Sequence, residues 1–157
     1  PLKRRTDLCT LIGAVPGALP PLIGWTAVRG QVEFSGFLLF AILLIWQIPH
    51  FLALALSRRE EYREAGMPML PVVRGEAETL EQILLYTAAL VPLSLLPYGI
   101  LGAGRLYLVV AVAMGAGFLY MAVRGYLRGA TPRWCKQFFL YSVLYLAALF
   151  TALVVDL

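Results

Sequence analysis

Five apolar stretches of membrane length leave this chain little freedom to fold as anything but a bundle of spanning helices. They run about Leu8–Val28, Phe34–Leu56, Gln82–Gly102, Leu106–Val123 and Phe138–Val155, none shorter than 18 residues. At about 1.5 Å per residue, helices of that length approach the roughly 30 Å of a bilayer's hydrocarbon core. Backbone polar groups have no water to turn to at that depth, so each stretch must satisfy its own N–H and C=O groups as a helix. Composition agrees: 61% of residues are hydrophobic and only 14% charged, against about 25% charged in soluble domains. The expected fold is all-α, a polytopic membrane bundle of five transmembrane helices. It forms a single membrane domain over residues 1–157, with no segment between spans large enough for a separate soluble core.

The charges are sorted by side. Lys3, Arg4 and Arg5 precede the first span, Arg58, Arg59, Arg63 and Arg74 follow the second, and Arg124, Arg128, Arg133 and Lys136 follow the fourth. These segments hold 11 of the 13 basic residues, leaving Arg29 and Arg105 for the other two loops. The positive-inside rule then predicts a multi-pass cell-membrane protein with its N-terminus and large charged loops cytoplasmic and its C-terminus outside. The net charge of +4 is accounted for by orientation and by contact with lipid headgroups, so a lipid bilayer and not nucleic acid is the expected partner. Cys9 and Cys135 stand alone on the reducing side, where small-apolar packing is expected and a disulfide is not. The basic flank leads into a full-length span without a cleavage site, so no signal peptide is expected. A chain opening at Pro1 directly into such a flank reads as the later part of a longer membrane protein.

Proline and glycine punctuate the spans. Pro16, Pro20 and Pro21, with Gly13, Gly17 and Gly24, predict a kinked first helix closely approached by a neighbour. Pro92 and Pro97 interrupt the third span and Gly115 and Gly117 the fourth; broken helices in a bilayer usually surround a cavity or pathway, although packing alone explains many of them. Ser57-Arg58-Arg59-Glu60 and Thr79-Leu80-Glu81-Gln82 have the form of capping boxes, the second opening span three. Gly66 and Pro68 predict a stop between them, and Thr131-Pro132 an N-cap before span five. Trp25, Tyr107 and Tyr126, near span ends, are expected in the interfacial aromatic belt.

Two groups of residues are candidates for chemistry. Gln47 and His50, in Trp46-Gln47-Ile48-Pro49-His50-Phe51, place polar side chains at membrane depth, where an unsatisfied group costs several kcal/mol. His50 is open to three roles: a haem contact, a proton donor, or an imidazole bonded to a backbone carbonyl loosened by Pro49. The second group is the loop after span two, in which Glu60, Glu61 and Glu64 crowd among Arg58, Arg59 and Arg63. Carboxylates at helical spacing supply the hard oxygens Mg²⁺ prefers, and arginines can fork onto diphosphate. A solvated helix laced with ion pairs explains the same residues, and composition alone favours it.

The run from Ile12 to Trp25, the Trp46–Phe51 motif, Arg59-Glu60-Glu61-Tyr62 and the segment Ala65–Gly75 together resemble the protohaem IX farnesyltransferases of the intramembrane UbiA-type prenyltransferase family. The resemblance runs over nearly the whole chain and is densest from Lys3 to Gly75. It implies the last five helices of a nine-helix fold, with the charged loop lying after the sixth. It also implies transfer of a farnesyl group from farnesyl diphosphate to a vinyl group of protohaem IX, giving haem O, with Mg²⁺ assisting diphosphate departure. Haem is then substrate, not cofactor. Glu61, with Glu60 and Glu64, would ligate the metal. Arg59 and Arg74, with Lys3 and Arg5, would contact diphosphate, and Tyr62 and His50 would orient substrate or touch haem. Proteins of haem A synthesis or of haem delivery to terminal oxidases would be partners. The family's first acidic motif has no counterpart in this sequence. Thr6-Asp7-Leu8-Cys9 stands where Thr-Pro-x-Asn is usual, and Glu61 where Asp is usual. Two other readings remain: a UbiA-type enzyme acting on a quinone precursor or chlorophyllide, and a non-catalytic membrane subunit or transporter.

Overall fold

The computed structural model describes residues 9–157, with side chains from Gly13 onward. Among these residues every regular element is an α-helix. Helices α1 (Cys9–Arg29) and α2 (Phe34–Ser57) form a first hairpin, and α3 (Arg59–Glu64) and α4 (Leu70–Val73) organise the charged loop. A broken crossing follows, α5 (Gly75–Leu93) with α6 (Leu96–Ile100), and then the hairpin of α7 (Arg105–Arg128) and α8 (Pro132–Asp156).

Four helical units among the described residues are long and apolar enough to cross a membrane: α2, α5 continued by α6, α7 and α8. The fifth expected span is present as α1, an unbroken helix of 21 residues carrying Pro16, Pro20 and Pro21, but it is not among those four. Helices α2, α5, α7 and α8 pack in a ring, each against the next, and α1 lies against α2. Ile42, Ile83, Leu90, Phe118, Phe138 and Leu149 are fully buried and bring all four ring helices into one core.

Two glycines of α7 let aromatic side chains of α8 close on its backbone. The indole of Trp134 covers Gly125 and the hydroxyl of Tyr141 covers Gly117, with no room at either for a Cβ. Trp134 Nε1 donates to the Met121 carbonyl at 3.0 Å and Tyr141 Oη to that of Met114 at 3.0 Å. Small residues thus bring the helices close, and polar tips hold them where lipid offers no partners. Carboxylates tie both ends of the bundle. Glu76 Oε1 accepts from Ala130 N at 2.7 Å, and Asp156 Oδ2 from Tyr107 N at 2.8 Å. The starts of α5 and α8 therefore share one end with the charged loop.

Several local expectations are corrected. Span three begins at Gly75, not Gln82, because its helix continues past the apolar stretch into a polar turn with Glu76 and Glu78. Neither expected capping box forms. Ser57 is the last residue of α2 and donates Oγ to Leu54 O at 2.8 Å, and Thr79 lies within α5, donating Oγ1 to Gly75 O at 2.7 Å. Both hydroxyls bond backward along a helix instead of opening a new one. Tyr107 is no belt residue: it is wholly buried and donates to the Ser94 carbonyl at 2.6 Å, where the break between α5 and α6 leaves that group free. Two other signals hold. Thr131 Oγ1 accepts from Trp134 N at 3.1 Å as an N-cap, and Gly66 takes a φ of +63° just past α3.

Candidate functional site

The middle of the site is set by the position of α2. Residues Trp46 to His50 are buried in unbroken succession, which a one-sided helix cannot achieve, and α1, α5 and α8 surround it. Gln47 donates Nε2 to Leu43 O at 3.3 Å and lays its amide over Gly17 of α1. His50 is 8% exposed. Its ring stacks on Trp46 at 4.6 Å and on Phe139 of α8 at 4.3 Å, and Phe51 meets it edge-on at 5.3 Å. Nδ1 lies 2.6 Å from Ser142 Oγ, and Trp46 Nε1 donates to the Ser142 carbonyl at 2.8 Å. The partner of the imidazole is thus a hydroxyl on α8 and not a carbonyl of its own helix. Ser142 and Phe139 were not among the candidate residues of the sequence. Nothing local sets Ser142 apart from the other hydroxyls of span five, Tyr141, Tyr145 and Thr151.

Beside Trp46 an apolar cleft of about 510 Å³ opens between α1, α2 and α8, lined by Pro20, Pro21, Leu43, Val143 and Phe150 among others. The charged loop folds over the end of α2, with α4 packed on α2 and α5 and α3 on α4. One side chain from this loop carries an unmet need: Arg59 Nε is buried without a hydrogen-bond partner. Tyr62 is half-buried, whereas Glu60, Glu61 and Glu64 are all exposed. Glu60 pairs with Arg63, and Arg74 with Glu78 at 2.7 Å. Among the described residues no three acidic, histidine or cysteine side chains gather closely enough to hold a metal ion. The carboxylates of α3 are of the type Mg²⁺ takes, but by themselves they form no complete site. Lys3 and Arg5, the remaining candidates for diphosphate, lie outside the described residues, as does the side chain of Cys9. Cys135 is buried and free.

These features define an integral membrane protein of the all-α class, with a polar cluster enclosed at membrane depth and a charged helical loop capping one end. The chain belongs to the UbiA prenyltransferase family, whose family model matches residues 1–152. Among its relatives, the protoheme IX farnesyltransferase of Myxococcus xanthus is 49% identical over 156 residues, covering 99% of this chain and 53% of the relative. The protein of that name from Sorangium cellulosum is 48% identical, covering 99% of this chain and 55% of its own. That from Marinobacter nauticus is 52% identical, with 99% and 51% covered. The chain spans about half the length of the curated relatives it matches. No solved structure matches it.

Proposed function

We propose that this chain forms the C-terminal part of a protohaem IX farnesyltransferase, which moves the farnesyl group of farnesyl diphosphate onto a vinyl group of protohaem IX to give haem O. One observation carries the proposal: near 50% identity, maintained over 99% of the chain, with relatives that bear this one name. The orientation follows from the basic loops, which put α3 and the start of α5 on the cytoplasmic side.

Each group then has a task. Glu61 and Glu64, which are exposed, offer hard oxygens toward a metal site whose other ligands lie outside the matched stretch; Glu60 takes part only on leaving Arg63. When bound, a divalent cation, proposed to be Mg²⁺, supplies the charge neutralisation that diphosphate departure needs. Arg59 brings a buried donor without a partner to the same end, suited to a diphosphate oxygen. Arg74, Lys3 and Arg5 extend the positive field, Arg74 by exchanging Glu78 for phosphate. Tyr62, half-buried on α3, orients the diphosphate end of the substrate. The apolar cleft beside Trp46 accommodates isoprenoid or porphyrin surface and keeps water from an allylic cation. His50 faces the porphyrin from the enclosed part of α2. Haem A synthesis or haem delivery to a terminal oxidase is the proposed consumer of the product.

The test is product formation by the purified full-length protein in lipid, supplied with farnesyl diphosphate, Mg²⁺ and protohaem, and analysed for haem O by mass. Glu61→Gln should lower the rate by at least about tenfold, since lost charge neutralisation is felt in the transition state. Unchanged turnover in that variant would place Glu61 on a passive surface. Prenylation of 4-hydroxybenzoate or chlorophyllide in place of protohaem would overturn the assignment of the acceptor.

A further inference from the structure

Two short contacts meet on one hydroxyl. Ser142 Oγ lies 2.6 Å from the carbonyl oxygen of Phe139, one turn back on α8, and 2.6 Å from Nδ1 of His50. A serine hydroxyl has a single hydrogen and two lone pairs. A carbonyl can only accept, so the contact with Phe139 requires that hydrogen. Were it turned to Nδ1 instead, two acceptor oxygens would be left facing each other at hydrogen-bond distance. The one arrangement that satisfies both contacts has Ser142 donating to Phe139 and accepting from an Nδ1–H of His50.

We infer that Ser142 is a positioning residue that fixes His50 as the Nδ1–H tautomer, leaving Nε2 as an unprotonated, lone-pair nitrogen. The surroundings hold the ring in that state. Trp46 and Phe139 stack on it, at 4.6 and 4.3 Å, and restrict its rotation. Trp46 is in turn tied to the carbonyl of the same Ser142 at 2.8 Å. Rotating the ring to exchange the nitrogens would break the Ser142 bond and push an aromatic neighbour aside. Among the described residues Nε2 has no hydrogen-bond partner, so its lone pair is the uncommitted polar feature of the ring. This decides among the roles open to a neutral His50. With its proton committed to Ser142, the imidazole accepts a hydrogen bond through Nε2 from a substrate N–H or O–H, or gives that lone pair to a metal centre, and does not act as a proton donor. The tautomer stands on geometry alone; its use in catalysis rests on the function proposed above.

The experiment reads the tautomer directly. His50 is the only histidine of this sequence, so in ¹⁵N-histidine-labelled full-length protein in lipid its signals are assigned by their loss in His50→Gln. At a pH where the ring is neutral, the parent should show the proton on Nδ1. Ser142→Ala should transfer population to the Nε2–H form, and Ser142→Thr, which keeps the hydroxyl, should restore the parent pattern. A parent ring protonated at Nε2, or an Ser142→Ala spectrum unchanged from the parent, overturns the inference. The Thr variant separates this from a packing defect, because a role for Ser142 in packing alone predicts no tautomer shift in Ser142→Ala. Haem O formation is measured alongside. It should fall about tenfold or more in Ser142→Ala and recover in Ser142→Thr. A parent that shows the Nδ1–H ring yet farnesylates no haem supports the tautomer and counts against the proposed function instead.

Discussion

Gly125→Ala tests how the last two spans are held together. The six-membered edge of the Trp134 indole occupies the space a Cβ at position 125 would need, in direct overlap with three ring atoms. That ring cannot simply withdraw. Its Nε1 is bonded to Met121 O at 3.0 Å, its face stacks on Phe138 at 4.9 Å, and its backbone N is held by the Thr131 cap at 3.1 Å. Overpacking of this kind costs about 1–3 kcal/mol, and losing the indole bond adds about 0.5–1.5 kcal/mol. Exchanging glycine for alanine inside a helix returns about 0.5–1 kcal/mol. The net expectation is destabilisation of about 0.5–4 kcal/mol, centred on about 2 kcal/mol. Reversible unfolding in mixed detergent micelles, followed by circular dichroism, gives the number. A Trp134→Phe background supplies the control, since phenylalanine lacks the overlapping edge. There the Gly125→Ala penalty should shrink by about 1 kcal/mol in the double-mutant cycle. A Gly125→Ala protein as stable as its parent, or a cycle with no coupling, would refute the reasoning.

The remaining predictions address the cap, a pH effect and the metal. Thr131→Ala should cost about 1 kcal/mol by the same unfolding assay, through loss of the N-cap of α8; Thr131→Ser should retain most of it. The Glu33 carboxyl is held below its ordinary value of 4.5, first by the Trp25 indole N–H, then by Gln31, with Arg29 adding to it. A lowered folded-state pKa means stability present above 4.5 and lost as pH falls through the lower folded value. Trp25 fluorescence should therefore report loosening of the α1–α2 turn on acidification below pH 4.5, and Glu33→Gln should remove that step. Chelation of divalent cations should abolish haem O formation, and adding back Mg²⁺ should restore it without any change in the unfolding midpoint.

The apolar runs revealed the bundle because in a bilayer length and apolarity are the physical requirement itself. They misplaced the start of span three because a helix need not end where its lipid-facing part does: Glu76 continues α5 into water and bonds Ala130. Ser57 and Thr79 carry the letters of a cap, but a hydroxyl can equally bond back to a carbonyl three or four residues earlier, and only the backbone path decides. Gln47 and His50 stood out as polar groups within an apolar run, and the structure buries both. The other half of that cluster lies 92 residues away from His50 on α8, a separation at which no local pattern operates. The charged loop could be located but not arranged. Its ion pairs depend on how α3 and α4 settle on α2 and α5, and that is a matter of tertiary packing.

The gap between α5 and α6 bears on how the bundle can move. A proline-broken span is usually a place of give, since unpaired carbonyls let the two pieces swing. Here the phenol of Tyr107 takes up the Ser94 carbonyl at 2.6 Å, and Asp156 pins the first turn of α7 from the far end of the chain. The elbow is thereby braced on both sides and serves as a rigid corner. Movement among the described residues is then expected away from this corner, for example at α1, which is joined chiefly to one neighbour, α2.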